Sequence, residues 1–302
     1  MHQPFADSMK PRGYRGRFAP SPSGPLHAGS LVAALGSYLD AKAQQGLWFV
    51  RIEDIDPPRE VPGAADTILG QLDAHGLHWD GDVSWQSQHS ARYQDIIAQL
   101  QNAGLVYACH CTRAEIKQRG DHYDGFCRNR QQQVMQSSRR YALRFRNTQP
   151  ITELHDRFHG SVPLALSMAK EDFILRRRDQ LWAYQLAVVT DDRDAEISHI
   201  VRGEDLLVAS GWQMTLWQQL NTLSADPVAL PNLAHLPLVR DEQGQKLSKQ
   251  NHAPALNNHQ VIPNLVSACH YLGLHAIQEG DYNNTDTLLR AATEQWQQIH
   301  CK

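Results

Sequence analysis

Residues 15–30 decide the fold of this chain and read Arg15-Gly-Arg-Phe-Ala-Pro-Ser-Pro-Ser-Gly-Pro-Leu-His-Ala-Gly-Ser30. The segment 15–19 predicts a short strand, and the density of proline and glycine over 20–25 predicts a tight, rigid loop. Helical spacing with good helix formers follows over 31–43. The order is therefore strand, stiff loop and helix, which puts the start of a helix directly after the loop.

The next segments extend this unit into a larger α/β domain. Residues 47–52, Leu-Trp-Phe-Val-Arg-Ile, are apolar enough for a second strand buried in a parallel sheet. Helices are predicted over 63–76 and 90–104. This spacing of strands and helices indicates a βαβ unit and a doubly wound, Rossmann-like fold.

Beyond residue 106 the pattern changes to an irregular, cysteine-bearing stretch and later returns to α/β. The predicted elements there are strands at 141–146 and 173–177 that border an insert, strands at 187–189 and 197–201, a helix at 206–220, and mostly helix after 250.

The composition limits the class of protein. The chain has 302 residues, with 41% hydrophobic and 20% charged residues, which excludes a disordered chain, a fibrous repeat and a coiled coil. No stretch approaches the roughly 20 apolar residues that cross a bilayer, and residues 1–10 lack the pattern of a secretory signal. We therefore expect a cytoplasmic protein without membrane contact. Because the net charge is −3, any nucleic-acid contact must come from local basic patches.

Two short motifs far apart in the chain carry candidate phosphate-binding chemistry. His27 and Gly29 stand at the start of the first predicted helix, where free N–H groups and the helix dipole attract phosphate. Lys246 and Lys249, in Lys246-Leu-Ser-Lys249, belong to a polar loop of the kind that clamps a transferring phosphoryl or nucleotidyl group. Taken singly, the two motifs are also compatible with a capped turn and a solvated loop.

In this order the two motifs resemble the paired signatures of class I aminoacyl-tRNA synthetases. The longer stretches 17–24, 51–56 (Arg-Ile-Glu-Asp-Ile-Asp) and 200–207 (Ile-Val-Arg-Gly-Glu-Asp-Leu-Leu) are similar to the glutamyl and glutaminyl branch. The resemblance runs from about residue 15 to 249, and Gln250 stands where the family usually has Ser. It implies ATP binding by His27, Gly29 and Lys249, and catalytic roles for His27, Gly29, Lys246 and Lys249.

We expect that the short chain beyond residue 250 lacks the large anticodon-binding part of a full glutamyl-tRNA synthetase. This architecture resembles the glutamyl-Q tRNA(Asp) synthetase family. The resemblance implies tRNA-independent activation of L-glutamate by ATP, with Mg²⁺ arriving on the nucleotide, and transfer of glutamate to the queuosine base of tRNA(Asp). No obligate protein partner is inferred. Two alternatives stay open: a minimal glutamyl-tRNA synthetase that charges an acceptor end, and a silent RNA-binding paralogue.

The resemblance also divides the chain. We expect a class I catalytic domain in two halves, a zinc-bearing insert between them and a short helical tail. The expected boundaries are 14–106 for the first half, 107–178 for the insert, 179–250 for the second half and 251–302 for the tail.

Candidate glutamate-binding residues follow predicted strands. Glutamate carries two carboxylates and one ammonium, so its site needs two cationic groups and one anionic group. Arg17 and Arg202 stand at strand ends, where a parallel sheet places ligands, and Glu53 at another strand end can bind the ammonium. The resemblance assigns these same three residues, together with Ala19, Ser21 and Tyr184. Without it, surface ion pairs and core packing are the simpler interpretations.

Three of the five cysteines lie within one short segment. Cys109, Cys111 and Cys127 indicate a tetrahedral zinc site in a reducing compartment rather than a disulfide framework, with three reduced structural thiols as the alternative. From the chemistry alone, His110 or His122 supplies the fourth ligand. The resemblance instead assigns Tyr123, through its pattern Cys-x-Cys followed by Tyr-x-x-x-Cys. A site with four protein ligands is closed, hence structural, which counts against a zinc-dependent hydrolase.

Local basic clusters lie in or beside the insert and are candidates for RNA backbone contacts, although most arginine runs are simply solvated. They comprise Arg128, Arg130, Arg139, Arg140, Arg144, Arg146 and residues 176–178.

Overall fold

The computed structural model describes residues 13–239 and 254–301. The strands are β1 (Arg15–Phe18), β2 (Leu47–Ile52), β3 (Ser84–Trp85), β4 (Val106–Cys109), β5 (Ala142–Phe145), β6 (Glu153–Asp156), β7 (Gly160–Pro163), β8 (Ile174–Arg176), β9 (His199–Gly203) and β10 (Asn232–Leu236). The helices are α1 (Ala28–Ala43), α2 (Ala64–Ala74), α3 (Ser90–Asn102), α4 (Arg113–Lys117), α5 (Gln131–Gln136), α6 (Leu166–Ala169), α7 (Tyr184–Asp194), α8 (Leu207–Thr222), α9 (Val261–Tyr271) and α10 (Thr285–His300).

The parallel strands form two groups that lie side by side. In the first group β1 pairs with β2 and β2 with β3, with Arg17 of β1 opposite Phe49 of β2. In the second group β9 and β6 run parallel to β10, and β7 closes the edge antiparallel to β6. The backbone N–H of Ser198, next to β9, donates to the carbonyl of Arg15 at 3.0 Å, which brings the two groups together. The predicted Rossmann-like fold with a parallel sheet is confirmed.

Helix α1 packs on the first group of strands, α9 and α10 pack on α1, and all three helices share one hydrophobic core with these strands. Leu31, Leu35 and Leu39 of α1 recur every four residues and are buried, as the period of an amphipathic helix requires. His27 caps α1: its Nδ1 accepts from the backbone N–H of Ser30, and Ser30 Oγ accepts in return from the backbone N–H of His27. The stiff loop therefore delivers a fixed helix start to the edge of the sheet.

A buried carboxylate on α1 joins distant parts of this core. Asp40 accepts hydrogen bonds from Tyr14 Oη (2.6 Å), from both terminal nitrogens of Arg157 (2.7 and 3.0 Å) and from Trp296 Nε1 of α10 (3.0 Å). Burial alone raises a carboxyl pKa, but the bonds from Arg157 and Tyr14 outweigh it and hold the pKa of Asp40 below its ordinary value. One ionised side chain thus links the segment before β1, the turn after β6 and the C-terminal helix.

A third, antiparallel sheet carries the cysteine cluster. It consists of β4, β5 and β8, with Cys109 at the end of β4 opposite Ala142. A small separate core surrounds the three thiols and includes Tyr107 and Val134. Strands β6 and β7 also come from the stretch 107–178, yet they belong to the second group of strands, where β6 pairs with β10 and β7 pairs with β6.

Most predicted elements have counterparts in the structure, and two predictions need correction. The predicted strand 187–189 is wrong, because these residues lie in the middle of helix α7. Residues 186–193 are all buried, so this part of α7 has no face exposed to solvent, and a short apolar run of this kind cannot be told from a buried strand by periodicity. The strand predicted at 197–201 begins at His199 instead and ends at Gly203. Strand β10 was not predicted.

Across the described ranges 13–239 and 254–301, we find no helix with both the length and the apolar character that crossing a membrane requires.

Candidate functional site

The carboxyl ends of β1, β2 and β9 meet at one edge of the parallel layer, where a wide cleft opens. Arg17 lies on β1, Glu53 follows β2 directly, and Arg202 lies on β9. The cleft has a volume of about 1480 Å³. Four of the predicted glutamate-site residues line it, namely Ala19, Ser21, Glu53 and Tyr184. Parallel α/β sheets place their ligands at this edge.

Arg17 belongs to a buried ionic cluster that connects two strands to helix α7. Asp192 of α7 accepts from Arg17 Nε at 3.2 Å and from Arg51 Nη1 of β2 at 2.6 Å. Burial opposes ionisation of Asp192, but the two guanidinium groups hold its pKa below the ordinary value. The neighbouring Asp191 accepts from Tyr93 and Gln86 and lies 3.8 Å from Arg51 Nε. The cluster therefore fixes Arg17 in place before any ligand arrives.

Glu53 is a buried residue in the lining of the cleft and is only weakly paired. Arg51 Nη2 lies 3.4 Å from its Oε1. Burial raises the pKa of Glu53 to about 7, against the opposing charges of Arg51 and Arg17, and Asp192 adds to the rise. A bound cation would therefore stabilise the ionised form of Glu53, which burial disfavours.

Arg202 is a buried guanidinium whose contacts are neutral groups. Its Nη2 donates to Ser210 Oγ (2.7 Å) and Gln213 Oε1 (2.5 Å), and its Nη1 lies 3.4 Å from Tyr184 Oη. Within residues 13–239 and 254–301 it forms no ion pair with a carboxylate. Burial accordingly lowers the pKa of Arg202. A buried positive charge without an anionic partner is costly, so this position favours an anionic ligand.

A second buried pair lies behind Arg202. Arg202 Nε donates to His235 Nε2 at 3.3 Å, and His235 Nδ1 lies 2.7 Å from Asp156 Oδ2. His235 and Asp156 are both buried, and burial lowers the pKa of His235, so its ring is neutral at neutral pH. A proton on Nδ1, directed at Asp156, leaves the Nε2 lone pair to accept from Arg202. Asp156 thereby selects the tautomer that holds Arg202.

His27 and Gly29 lie at a second, smaller cavity of about 190 Å³ at the start of α1. Gly203 and the segment 236–239 form its other walls. Gly203 and Asp205 lie close together in the wall of this cavity, because a Cβ at Gly203 would lie only 2.7 Å from Asp205 Oδ1. A larger residue than glycine would therefore crowd this wall. The two lysines that are predicted to bind phosphate, Lys246 and Lys249, lie outside the described residues, and so does Gln250.

The three clustered cysteines converge as the sequence predicts. The sulfur atoms of Cys109, Cys111 and Cys127 are buried and lie within 4.8 Å of one another. Sulfur atoms bound tetrahedrally to zinc are about 3.8 Å apart, given Zn–S bonds of about 2.3 Å. Cys111 and Cys127 are already 3.5 Å apart. The donor set and its spacing fit one small tetrahedral metal ion.

The surroundings of the thiols bear on the fourth ligand. Tyr123 is buried in the same small core, and its Oη accepts from the backbone N–H of Cys127 at 2.8 Å. Burial opposes thiolate formation at Cys109, but its hydrogen bond with Tyr123 and the charge of Arg144 lower its pKa below the ordinary value. His110 Nδ1 lies 3.9 Å from Cys127 Sγ, whereas His122 is directed at Glu171, 3.3 Å away.

Sequence reasoning missed several residues of this site. Arg51 stands inside a quoted motif, on a strand that is predicted to be buried, but no role is predicted for it. Asp191 and Asp192 interrupt an apolar run, and that interruption was the available signal. Asp156 and His235 are 79 residues apart and carry no local pattern at all.

Replacing Asp192 by Ala should destabilise the protein by about 3–5 kcal/mol, because it leaves Arg17 buried without its carboxylate partner and removes the shortest ion pair of Arg51. Asp194→Ala, on the same helix, removes an exposed carboxylate that pairs with Arg92, and should cost about 0–1 kcal/mol. Urea unfolding of both variants measures the difference. An equal decrease of stability in the two would contradict a structural role for the buried cluster.

Comparison with known proteins shows the family to which this chain belongs. The family model described as tRNA synthetases class I (E and Q), catalytic domain, matches residues 14–266. A glutamyl-Q tRNA(Asp) synthetase of Idiomarina loihiensis is 53% identical over 283 residues, which cover 94% of this chain and 96% of the relative. One of Pectobacterium atrosepticum is 51% identical, over 94% of this chain and 85% of the relative.

A solved structure is similar in fold as well. The crystal structure of a glutamate tRNA ligase from Elizabethkingia meningosepticum, in complex with its amino acid, matches with a TM-score of 0.67 at 28% identity. The match covers 79% of this chain and 52% of that one, so the chain spans about half the length of that ligase. From the family model and from relatives that match over almost their whole length, we conclude that the chain belongs to the glutamyl-Q tRNA(Asp) synthetase family, within the class I synthetases of the E and Q type.

Proposed function

We propose that this chain activates L-glutamate with ATP, without tRNA, and transfers it to the queuosine base at the wobble position of tRNA(Asp). In the first step a carboxylate oxygen of glutamate attacks the α-phosphate of ATP, glutamyl-adenylate forms and pyrophosphate leaves. In the second step a hydroxyl group of queuosine attacks the acyl carbon, an ester forms and AMP leaves. The relatives that share about half of its residues bear the name of this activity.

The observation that carries the proposal is Arg202, a buried guanidinium with neutral contacts, one of which is Tyr184 in the lining of the cleft. A ligand carboxylate supplies the missing negative charge and can accept a charge-assisted hydrogen bond from Nη1, whose described partner is Tyr184 Oη at 3.4 Å. A glutamine side chain offers no charge and leaves Arg202 uncompensated. This difference supports glutamate over glutamine as the substrate.

The remaining groups of glutamate have matching partners. We propose that Arg17, held by Asp192, binds the second carboxylate, and that Glu53 binds the ammonium. Ala19, Ser21 and Tyr184 complete the site as cleft lining. The attacking carboxylate is ionised at neutral pH, so the first step needs no general base. The chain contributes positioning and charge stabilisation.

The nucleotide belongs, in this proposal, at the start of α1. The N–H groups of the first helical turn at Gly29, together with His27, bind phosphate. Lys246 and Lys249 complete the phosphate site, and Mg²⁺ arrives with ATP, held mainly by its phosphates. The small cavity beside His27 and Gly203 supports this position.

We further propose that Cys109, Cys111, Cys127 and Tyr123 bind one structural Zn²⁺ ion. When bound, the ion cross-links the β4 end to the loop at 123–127. Their burial and spacing support this. With four protein ligands the site is closed and takes no part in the reaction.

Metal content tests this site directly. Cys127→Ser should lower zinc from one ion per chain to well below that value, measured by elemental analysis of the purified protein, because a hydroxyl is a poor replacement for thiolate. Cys269→Ser is the matched control, since Cys269 is buried in the main core, away from the cluster. Unchanged zinc in Cys127→Ser would contradict the assignment.

The pKa of Glu53 makes glutamate binding depend on pH. Only its carboxylate form attracts the ammonium, and its pKa is raised to about 7. The dissociation constant for glutamate should therefore rise as pH falls below about 7, by up to about tenfold per unit. Titration calorimetry from pH 8 to pH 5.5 measures it. Glu53→Gln should bind weakly with a flatter profile, and an invariant wild-type constant would contradict the role.

Asp156→Asn tests the pair behind Arg202. An Asn amide donates to His235 Nδ1, which moves the ring proton to Nε2 and sets it against the Arg202 N–H. Without this bond, the KM for glutamate in ATP–pyrophosphate exchange should rise roughly tenfold, with a smaller change in kcat. Asp226→Asn, an exposed site, is the control. An unchanged KM would show that Arg202 does not depend on His235.

Transfer of labelled glutamate to two tRNA pools, one with queuosine and one without, tests the function. Labelling of the queuosine pool alone supports the proposal. Equal labelling of both pools would make the chain an acceptor-charging synthetase. No labelling in either pool, with folded protein, would favour the silent RNA-binding paralogue.

A further inference from the structure

The positive charge of this acidic chain is concentrated in one stretch. Residues 107–178 contain fourteen Lys and Arg against seven Asp and Glu, a net charge of +7, whereas the whole chain carries −3. The rest of the chain therefore carries −10. A polyanion that approaches this protein is attracted to the stretch 107–178 and repelled elsewhere.

Within this stretch, three guanidinium groups surround a shallow concavity. They belong to Arg139, Arg140 and Arg178, and the concavity also contacts Asp179. We call these three residues the arginine surface. Asp179 is already paired with Arg177 at 2.6 Å. Within the part of the chain that the structure describes, neither Arg140 nor Arg178 forms an ion pair, so most of the charge of the arginine surface faces solvent.

Two of these side chains are held by one backbone carbonyl. Arg139 Nη2 donates to His110 O at 3.2 Å, and Arg178 Nη1 donates to the same oxygen at 3.4 Å. Glu115 lies 3.0 Å from Arg139 and orients it further. His110 stands between Cys109 and Cys111. Guanidinium groups that are already oriented lose less side-chain entropy when they bind an anion.

The arginine surface adjoins the mouth of the cleft. Helix α4 directs Arg113 and Lys117 into the cleft, while Glu115 on the same helix contacts Arg139. Arg177 likewise lines the cleft, whereas its neighbour Arg178 belongs to the arginine surface. A chain of phosphates can therefore pass from the arginine surface to the cleft without crossing the acidic remainder of the protein.

We propose that the arginine surface binds the phosphate backbone of the RNA whose modified nucleotide enters the cleft. This inference rests on the proposed function, since it names where the RNA of that reaction is held. The contacts are to phosphate, so they supply affinity and orientation but no sequence reading. Recognition of the base belongs to the cleft.

The salt dependence of RNA binding measures this interaction. We compare the wild type with Arg139→Gln/Arg140→Gln/Arg178→Gln, using a fluorescent anticodon stem-loop of tRNA(Asp) and a series of KCl concentrations. Because the triple variant cannot neutralise three phosphates, the slope of log K against log salt should fall in magnitude by about 2, and affinity at low salt should fall tenfold or more. Arg92→Gln/Arg290→Gln, which removes exposed arginines outside 107–178, should bind like the wild type.

Two further measurements distinguish a failure of the proposed RNA contact from a failure of the proposed function. Arg140→Gln alone leaves the hydrogen bonds to the His110 carbonyl in place and should lower the slope by about 0.7, even if the triple variant folds poorly. Glutamate-dependent ATP–pyrophosphate exchange uses no RNA: its absence in the wild type would overturn the proposed function. Exchange in the wild type with equal slopes in all variants would overturn only the role of the arginine surface.

Discussion

The ion cluster formed by Arg17, Arg51 and Asp192 is the constraint on which the site depends. It brings charges from two parallel strands and one helix together where water is excluded. Removing such charges from water is costly, and only the mutual pairing offsets that cost. The ends of β1 and β2 and the helix α7 must therefore keep one relative position. That fixed frame determines where Glu53 lines the cleft and where Arg17 is held beneath it.

The frame also explains why the arginines of the site differ in their chemistry. Arg17 is largely compensated by Asp192, so it offers direction more than charge. Arg202 is held by a serine, a glutamine, a tyrosine and a neutral histidine, so it offers its whole charge. Although both are arginines, Arg202 thus favours a negatively charged ligand more strongly than Arg17 does. In the proposed glutamate site, this inequality favours an acid over its amide.

The sequence was sufficient to predict the parts of the fold that depend on local pattern. The first strand, the stiff loop and the helix α1 follow from proline, glycine and apolar spacing, and the cysteines from their clustering. Arg17, Glu53 and Arg202 could be predicted to lie together because the ends of parallel strands share an edge. Helix α7 could not, since its acidic residues are buried against arginines from elsewhere in the chain. The pairing of Asp156 with His235 is tertiary in origin, and no local pattern encodes it.

The contacts of Asp40 bear on how the protein is made. Tyr14, Arg157 and Trp296 satisfy one carboxylate, and Trp296 lies in the last helix. During synthesis, Asp40 therefore lacks one of its hydrogen-bond donors until residue 296 has emerged from the ribosome. Helix α10 is therefore the closing piece of the first core, rather than an appendage to it. A nascent chain stalled before that point would lack Leu288, Leu289 and Trp296, and the part of the first core that they cover would stay exposed to water.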